Sequence, residues 1–250
     1  MRWKPWQSTF DNPIGLEHPS ATELGATVVS VVVDELLDRA PRTDPTLPRT
    51  GGPAGNARLT AWTGAILLVL FAVEGYTILD IRGLLSWHIV VGVLLIPPAL
   101  LKVASTGWRI VRYYTGDVPY RQAGPPQMLM RVIGPLVVVT TLSVLATGVL
   151  VAIEGPTGRH GSTFGLPVSM LFQHKATFIA WLVVMTVHVL GRTVRAAKIV
   201  GGRATSAARV PGSTSRSAAL IAAAACSVVL AILLVTPWAD RWHAGGFQHH

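Results

Sequence analysis

The sequence predicts an all-α integral membrane protein: a four-helix transmembrane bundle followed by a fifth, C-terminal transmembrane helix. Three observations point there. Half of the 250 residues are hydrophobic, and the mean hydropathy is +0.48. Only 13% are charged, against about 25% in an ordinary globular chain. The apolar residues also gather into five stretches, each long enough as a helix to cross a hydrocarbon core, which takes about 20 residues. Such a chain is not a soluble two-domain protein, a nucleic-acid reader or a secreted disulfide scaffold. Its one cysteine, Cys226, cannot form an internal disulfide, a Cys-x-x-Cys-His attachment, an iron–sulfur cluster or a thiolate zinc site. Any redox group must take other ligands.

Residues 1–58 read as a mostly disordered cytoplasmic arm, polar and broken by prolines from Pro5 to Pro53. No apolar run follows Arg2 and Lys4, so this is no signal peptide. Ala26 to Val33 is apolar but too short to span, and a short interfacial or partner-binding helix is the alternative to disorder there. The first span covers about Leu59 to Leu79, the second Leu84 to Thr106 and the third Val132 to Ile153. The fourth covers Phe172 to Leu190, which closes the bundle at residues 59–190. The fifth, Ala218 to Trp238, has little polar character beyond Ser227 and reads as a packing helix appended to the other four. Residues 239–250 form an outer tail.

The loops differ sharply in charge. Gly107 to Arg131 carries Arg109, Arg112, Arg121 and Arg131 against Asp117. The linker at residues 191–217 holds Arg192, Arg195, Lys198, Arg203, Arg209 and Arg216 with no acid. Excess Lys and Arg marks the cytoplasmic side, so the N-terminus is expected inside and the C-terminus outside. Topology accounts for the net charge of +9 without invoking nucleic acid. Trp108, Tyr113 and Tyr114 suit an interfacial belt where the second span exits.

Of the eight histidines, His18, His160, His243, His249 and His250 fall in tails or a loop. His88 lies near the start of the second span, and His174 and His188 bracket the fourth. Ionisable groups at such depths are costly and tend to mark function. His174 and His188 stand fourteen residues apart, a rise of ~21 Å with an angular offset of ~40° on an α-helix. They therefore share a face at opposite depths. The second and fourth spans run in the same direction, and His88 and His174 each lie a few residues in from the outer end. Two imidazoles at one depth on parallel helices are what bis-histidine ligation of a haem iron needs. Gly92, one turn below His88, leaves a flat surface beside it. A membrane-edge histidine also has a plainer use, bonding to backbone or headgroups; matched depth and matched faces set this pair apart. At the depth of His188 the second span offers Lys102, whose plainer fate is to snorkel to the interface.

The stretches Ser86-Trp87-His88, Gln173-His174-Lys175 and Val187-His188-Val189, within about Arg58 to Arg195, resemble the b-type cytochrome superfamily of cytochrome b561 and of the membrane anchors of formate dehydrogenase and nickel hydrogenase. The resemblance implies that His88 and His174 hold an outer haem b. It gives His188 to an inner haem, whose second ligand would be a first-helix histidine in an Arg-x-x-His-Trp run. This chain reads Arg58-Leu59-Thr60-Ala61-Trp62. Alanine stands where that ligand would be, so the inner haem, and the quinone chemistry near it, lacks one ligand.

Among other polar residues in the spans, Glu74 is expected to pair with a nearby base, Arg82 or Lys175. Pro97 and Pro98 should kink the second helix. Thr140, Thr141, Ser143 and Thr147 read as helix-contact residues. The sequence thus leads to an electron-transfer subunit working with an extracytoplasmic redox partner. The alternative is a haem-free membrane scaffold or assembly protein that keeps the same bundle. A transporter ranks last, since no inverted repeat is visible, and no nucleophile–base pair, phosphate loop or carboxylate pair supports a hydrolase or transferase.

Overall fold

The computed structural model describes residues 20–37, 39, 44–125, 128–159, 167–201 and 210–244. The first nineteen residues of the arm, the loop histidine His160, the linker at 202–209 and the tail from 245 lie outside them. Among the described residues the chain is helical, with no strand: α1 (Ala21–Leu36), α2 (Gly52–Leu79), α3 (Leu85–Tyr114), the short α4 (Val118–Gln122), α5 (Met128–Glu154), a 3-10 turn (Gly155–Arg159), α6 (Met170–Val200) and α7 (Ser213–Ala244). Helices α2, α3, α5, α6 and α7 are long and apolar enough to cross a membrane. Their outward faces carry large apolar side chains such as Val139, Ile179, Val183, Ile221 and Ile232, as lipid contact requires.

Helices α2 and α3 pack as one hairpin, α5 and α6 as another, and α2 lies against α6. The histidine-bearing helices α3 and α6 consequently face each other across the bundle. A hydrogen-bonded turn before α3 and a cap on α6 set the positions of their histidines. Asp80 Oδ1 accepts from Gly83 N–H at 3.1 Å in the α2–α3 turn, and His88 N–H bonds Leu84 O at 2.8 Å in the first turn of α3. Ser169 Oγ accepts from Phe172 N–H at 3.2 Å at the start of α6, one turn before His174.

The fifth helix is more than an appendage. Trp238, Ala239 and Trp242 of α7 are buried in one core cluster with Ile89, Val93, Val151, Ala152 and Met170. Helix α3 continues through Pro97 and Pro98. Pro98 has no N–H to offer the carbonyl of Leu94, and Ser227 Oγ of α7 supplies the missing donor at 3.0 Å. At Pro98 the expected disruption is thus offset by a neighbouring helix, Ser227 sharing its one hydroxyl proton between Leu94 O and Ala223 O. At the far tip of α7, Arg241 donates to Ile153 O at 2.8 Å, where the carbonyls of α5 run out.

Several boundaries lie beyond expectation. Helix α2 begins at Gly52, α3 runs on to Tyr114, α5 begins at Met128, α6 runs on to Val200, and α7 covers Ser213–Ala244. The basic linker is therefore helical at both ends, because Arg, Lys and Ala are good helix formers and hydropathy reports where lipid stops, not where the helix does. The arm, read as mostly disordered, contains α1 and a segment tied to the bundle. Helix α1 opens with a reciprocal capping box: Glu23 accepts from Ser20 N–H at 2.8 Å, and Ser20 Oγ accepts from Glu23 N–H at 3.2 Å. The Ser20 backbone N–H, then its hydroxyl, holds the exposed Glu23 carboxyl below its ordinary value.

Downstream, Asp44 is buried and pairs with Arg109 of α3 at 3.0 Å and Arg195 of α6 at 3.1 Å. One acid clasps the two histidine-bearing helices. Next to it the chain at 48–52 lies backbone to backbone on 210–212. Gly51 (φ 76°) and Gly212 (φ 77°) permit this, since a Cβ would stand 2.6 Å from Pro211 O in the first case and 2.7 Å from Arg49 O in the second. Asp44→Ala leaves two arginines without their acid, and we expect a loss of about 3 kcal/mol, read as a lowered thermal unfolding midpoint of the detergent-solubilised protein.

Candidate functional site

At the end of the bundle opposite the Asp44 clasp, residues of α3 and α6 line a cavity of about 620 Å³, within the range of small-molecule and cofactor pockets. Its walls are mainly apolar and come from all five long helices, with Trp238 and Trp242 of α7 closing one side. His88 and His174 both line it. Their ring centres lie 6.4 Å apart with the planes at 69°. A metal–imidazole nitrogen bond of about 2.0–2.1 Å on each side, plus about 1.2 Å from nitrogen to ring centre, spans about 6.4 Å. The expected pairing of these two residues across one cavity is therefore present in the fold.

The hydrogen bonds decide which ring nitrogen remains available. Thr77 Oγ1 donates to Glu74 O at 2.6 Å, so its oxygen is left to accept from His88 Nδ1–H at 3.0 Å. Glu74 Oε1 lies 3.0 Å from the same nitrogen. On the other side, Thr147 Oγ1 donates to Ser143 O at 2.8 Å and accepts from His174 Nδ1–H at 3.2 Å. Thr177 buttresses Thr147 at 3.0 Å between the hydroxyls. With both Nδ1 atoms engaged, each imidazole keeps Nε2 and its lone pair. A hydrogen-bonded Nδ1–H that fixes tautomer and ring angle is the usual outer support of a metal-binding histidine.

Glu74 was expected to pair with Arg82 or Lys175. It pairs with His88 instead, because the tight α2–α3 turn sets Glu74 and Thr77 opposite that residue. Its second oxygen, Oε2, is buried without a hydrogen-bond partner among the described residues. Thr147, read as a helix-contact residue, is the partner of His174. Gly148, beside it, was not singled out by the sequence reading. A Cβ there would stand 3.1 Å from His174 Cε1, so α5 approaches the imidazole only because the side chain is missing. Gly92 lines the cavity as expected, with Glu74 Oε1 at 3.5 Å from where its Cβ would be. Below the histidines, Trp181 forms a floor. Its Nε1–H donates to Thr141 Oγ1 at 3.1 Å, and it packs edge-on to Phe71 at 4.7 Å between centres.

His188 does not line this cavity. Its Nδ1 is buried without a hydrogen-bond partner among the described residues. Lys102 does not snorkel to the interface. Its ammonium turns onto the backbone of α2, donating to Thr60 O, in a notch that a Cβ at Gly64 would close to 2.8 Å from Nζ. Ala61 is buried in α2 and offers no ligand.

Among the described residues no three or more His, Cys, Asp or Glu side chains come together to hold a bare ion. A porphyrin brings four ring nitrogens of its own, so two facing imidazoles suffice for its iron. The donor set, the spacing and the notch at Gly148 all suit that group. Gly148→Leu should crowd His174 and lower affinity for added haemin at least tenfold in an absorbance titration, the loss typical of a disturbed outer support. Gly134→Ala on the same helix, where an added Cβ meets nothing within 4 Å, should leave the titration unchanged. Compared with known proteins, the chain matches no protein-family model, no curated protein and no solved structure.

Proposed function

We propose that this protein is a membrane b-type cytochrome-like electron-transfer subunit, with one haem b held between His88 and His174. One observation carries the reading: the centres of two imidazole rings stand 6.4 Å apart across an apolar cavity, each with Nδ1 already bonded. When bound, haem supplies a one-electron couple between ferric and ferrous iron. The chain supplies the rest. His88 and His174 present Nε2 to the iron, while Glu74, Thr77 and Thr147 hold the rings at fixed angles. Trp181, Trp238 and Trp242 wall the site, and the lipid-facing helices keep bulk water away.

Lys and Arg crowd the end of the bundle around Asp44, and this charge excess supports reading that end and the N-terminus as cytoplasmic. The C-terminus and the cavity then face outside, where an extracytoplasmic redox partner would dock. The opposite face is about 20 Å or more from the site, and His188 lacks the partner that a second haem would need. Electron donor and acceptor therefore both act at the outer face. No quinone site enters this reading.

A reduced-minus-oxidised absorption spectrum of the detergent-solubilised protein tests it. The Soret and α bands should appear with wild type and with His188→Ala, and vanish with His88→Ala or His174→Ala. Colourless protein after expression with ample haem would overturn the reading and leave a haem-free scaffold. In the pigmented protein, Glu74→Gln removes a negative charge from beside His88. We expect the spectrum to be kept and the midpoint potential to rise by about 60 mV, one decade for a one-electron couple, measured by spectroelectrochemical titration.

A further inference from the structure

The rim of the cavity carries a charge pattern that ligation by two imidazoles does not use. Arg82, in the turn between α2 and α3, and Lys175, next to His174 on α6, both line the cavity and are both exposed. Neither forms an ion pair or hydrogen bond with any described residue. Asp80, two residues from Arg82, already accepts from Gly83 N–H at 3.1 Å. Glu74, the acid within the cavity, lies largely buried and turned to His88. Two uncommitted cations therefore stand where an apolar cleft meets the membrane face, with a carboxylate at its centre.

This arrangement is a poor match for a neutral occupant. It suits a flat apolar body with a cationic centre near Glu74 and anionic groups along one edge. We infer that Arg82 and Lys175 form a carboxylate clamp that holds the two propionates of a porphyrin at the rim and so selects a dicarboxylate macrocycle in one orientation. The inference rests on the haem site proposed above and adds the ligand class and its direction of entry. Both cations sit in partly aqueous surroundings, where each ion pair contributes modestly. Together they are expected to favour the free diacid over its ester by about tenfold.

The test uses the full chain purified in detergent from haem-limited cells, titrated with ferric protoporphyrin IX and, separately, with its dimethyl ester. Soret absorbance reports binding. Wild type should bind the diacid about tenfold more tightly than the diester. The Arg82→Gln/Lys175→Gln double variant should bind both ligands with the affinity that wild type shows for the diester. Equal affinity of wild type for the two ligands, or an unchanged preference in the double variant, overturns the clamp while leaving the histidine pair standing. No protein-dependent shift of the Soret band with either ligand overturns the clamp and the proposed function together.

Discussion

Inside a hydrocarbon layer a polar side chain has no water to turn to, so each must find its partner within the bundle. The contact of His88 Nδ1 with Glu74 Oε1 and Thr77 Oγ1, 3.0 Å in each case, meets that demand and shapes the site. It consumes one ring nitrogen, leaves the other, and brings a carboxylate to the middle of an apolar cleft. His174 answers the same demand with a threonine hydroxyl from α5. The two rings are thus supported by different helices, and the site depends on both hairpins keeping their relative rotation.

That dependence gives the opposite end of the bundle its importance. Asp44 joins Arg109 of α3 to Arg195 of α6, two helices that line the cavity. Further along the same end, Arg216 of α7 donates to Pro211 O at 2.6 Å and Val210 O at 3.1 Å, which anchors the start of α7 beside the glycine contact at Gly51. One end is tied by charge, and the other is packed with large side chains such as Trp181, Trp238 and Met170. Lipid tails are as apolar as the helix surfaces, so helix association must come from packing and hydrogen bonds of this kind. Ser227, filling the bond that Pro98 cannot make, is a small instance of the same rule.

The histidine pairing was legible in the chain because helical rise and span direction convert residue number into depth. Fourteen residues separate His174 from His188, so only one of them could share a level with His88. The Glu74 and Thr77 contacts were partly legible: a short turn makes α2 and α3 mirror one another, and a residue near the end of one helix must face a residue near the start of the next. Gly148 and Thr147 were not, since their roles depend on how far α5 is rotated against α6. Nor was the Asp44 clasp, whose partners lie 65 and 151 residues away.

The sequence by itself determined the number of long apolar helices, their order and the position of each ionisable residue along its helix, because hydropathy and the α-helical repeat are local properties of the chain. The tertiary structure alone decided which faces meet, that α7 belongs to the core, that Glu74 serves His88, and that Lys102 bonds to the backbone of α2 rather than snorkelling outward. Those outcomes follow from side-chain volume and hydrogen-bond geometry between helices distant in the chain, which no local pattern of residues records.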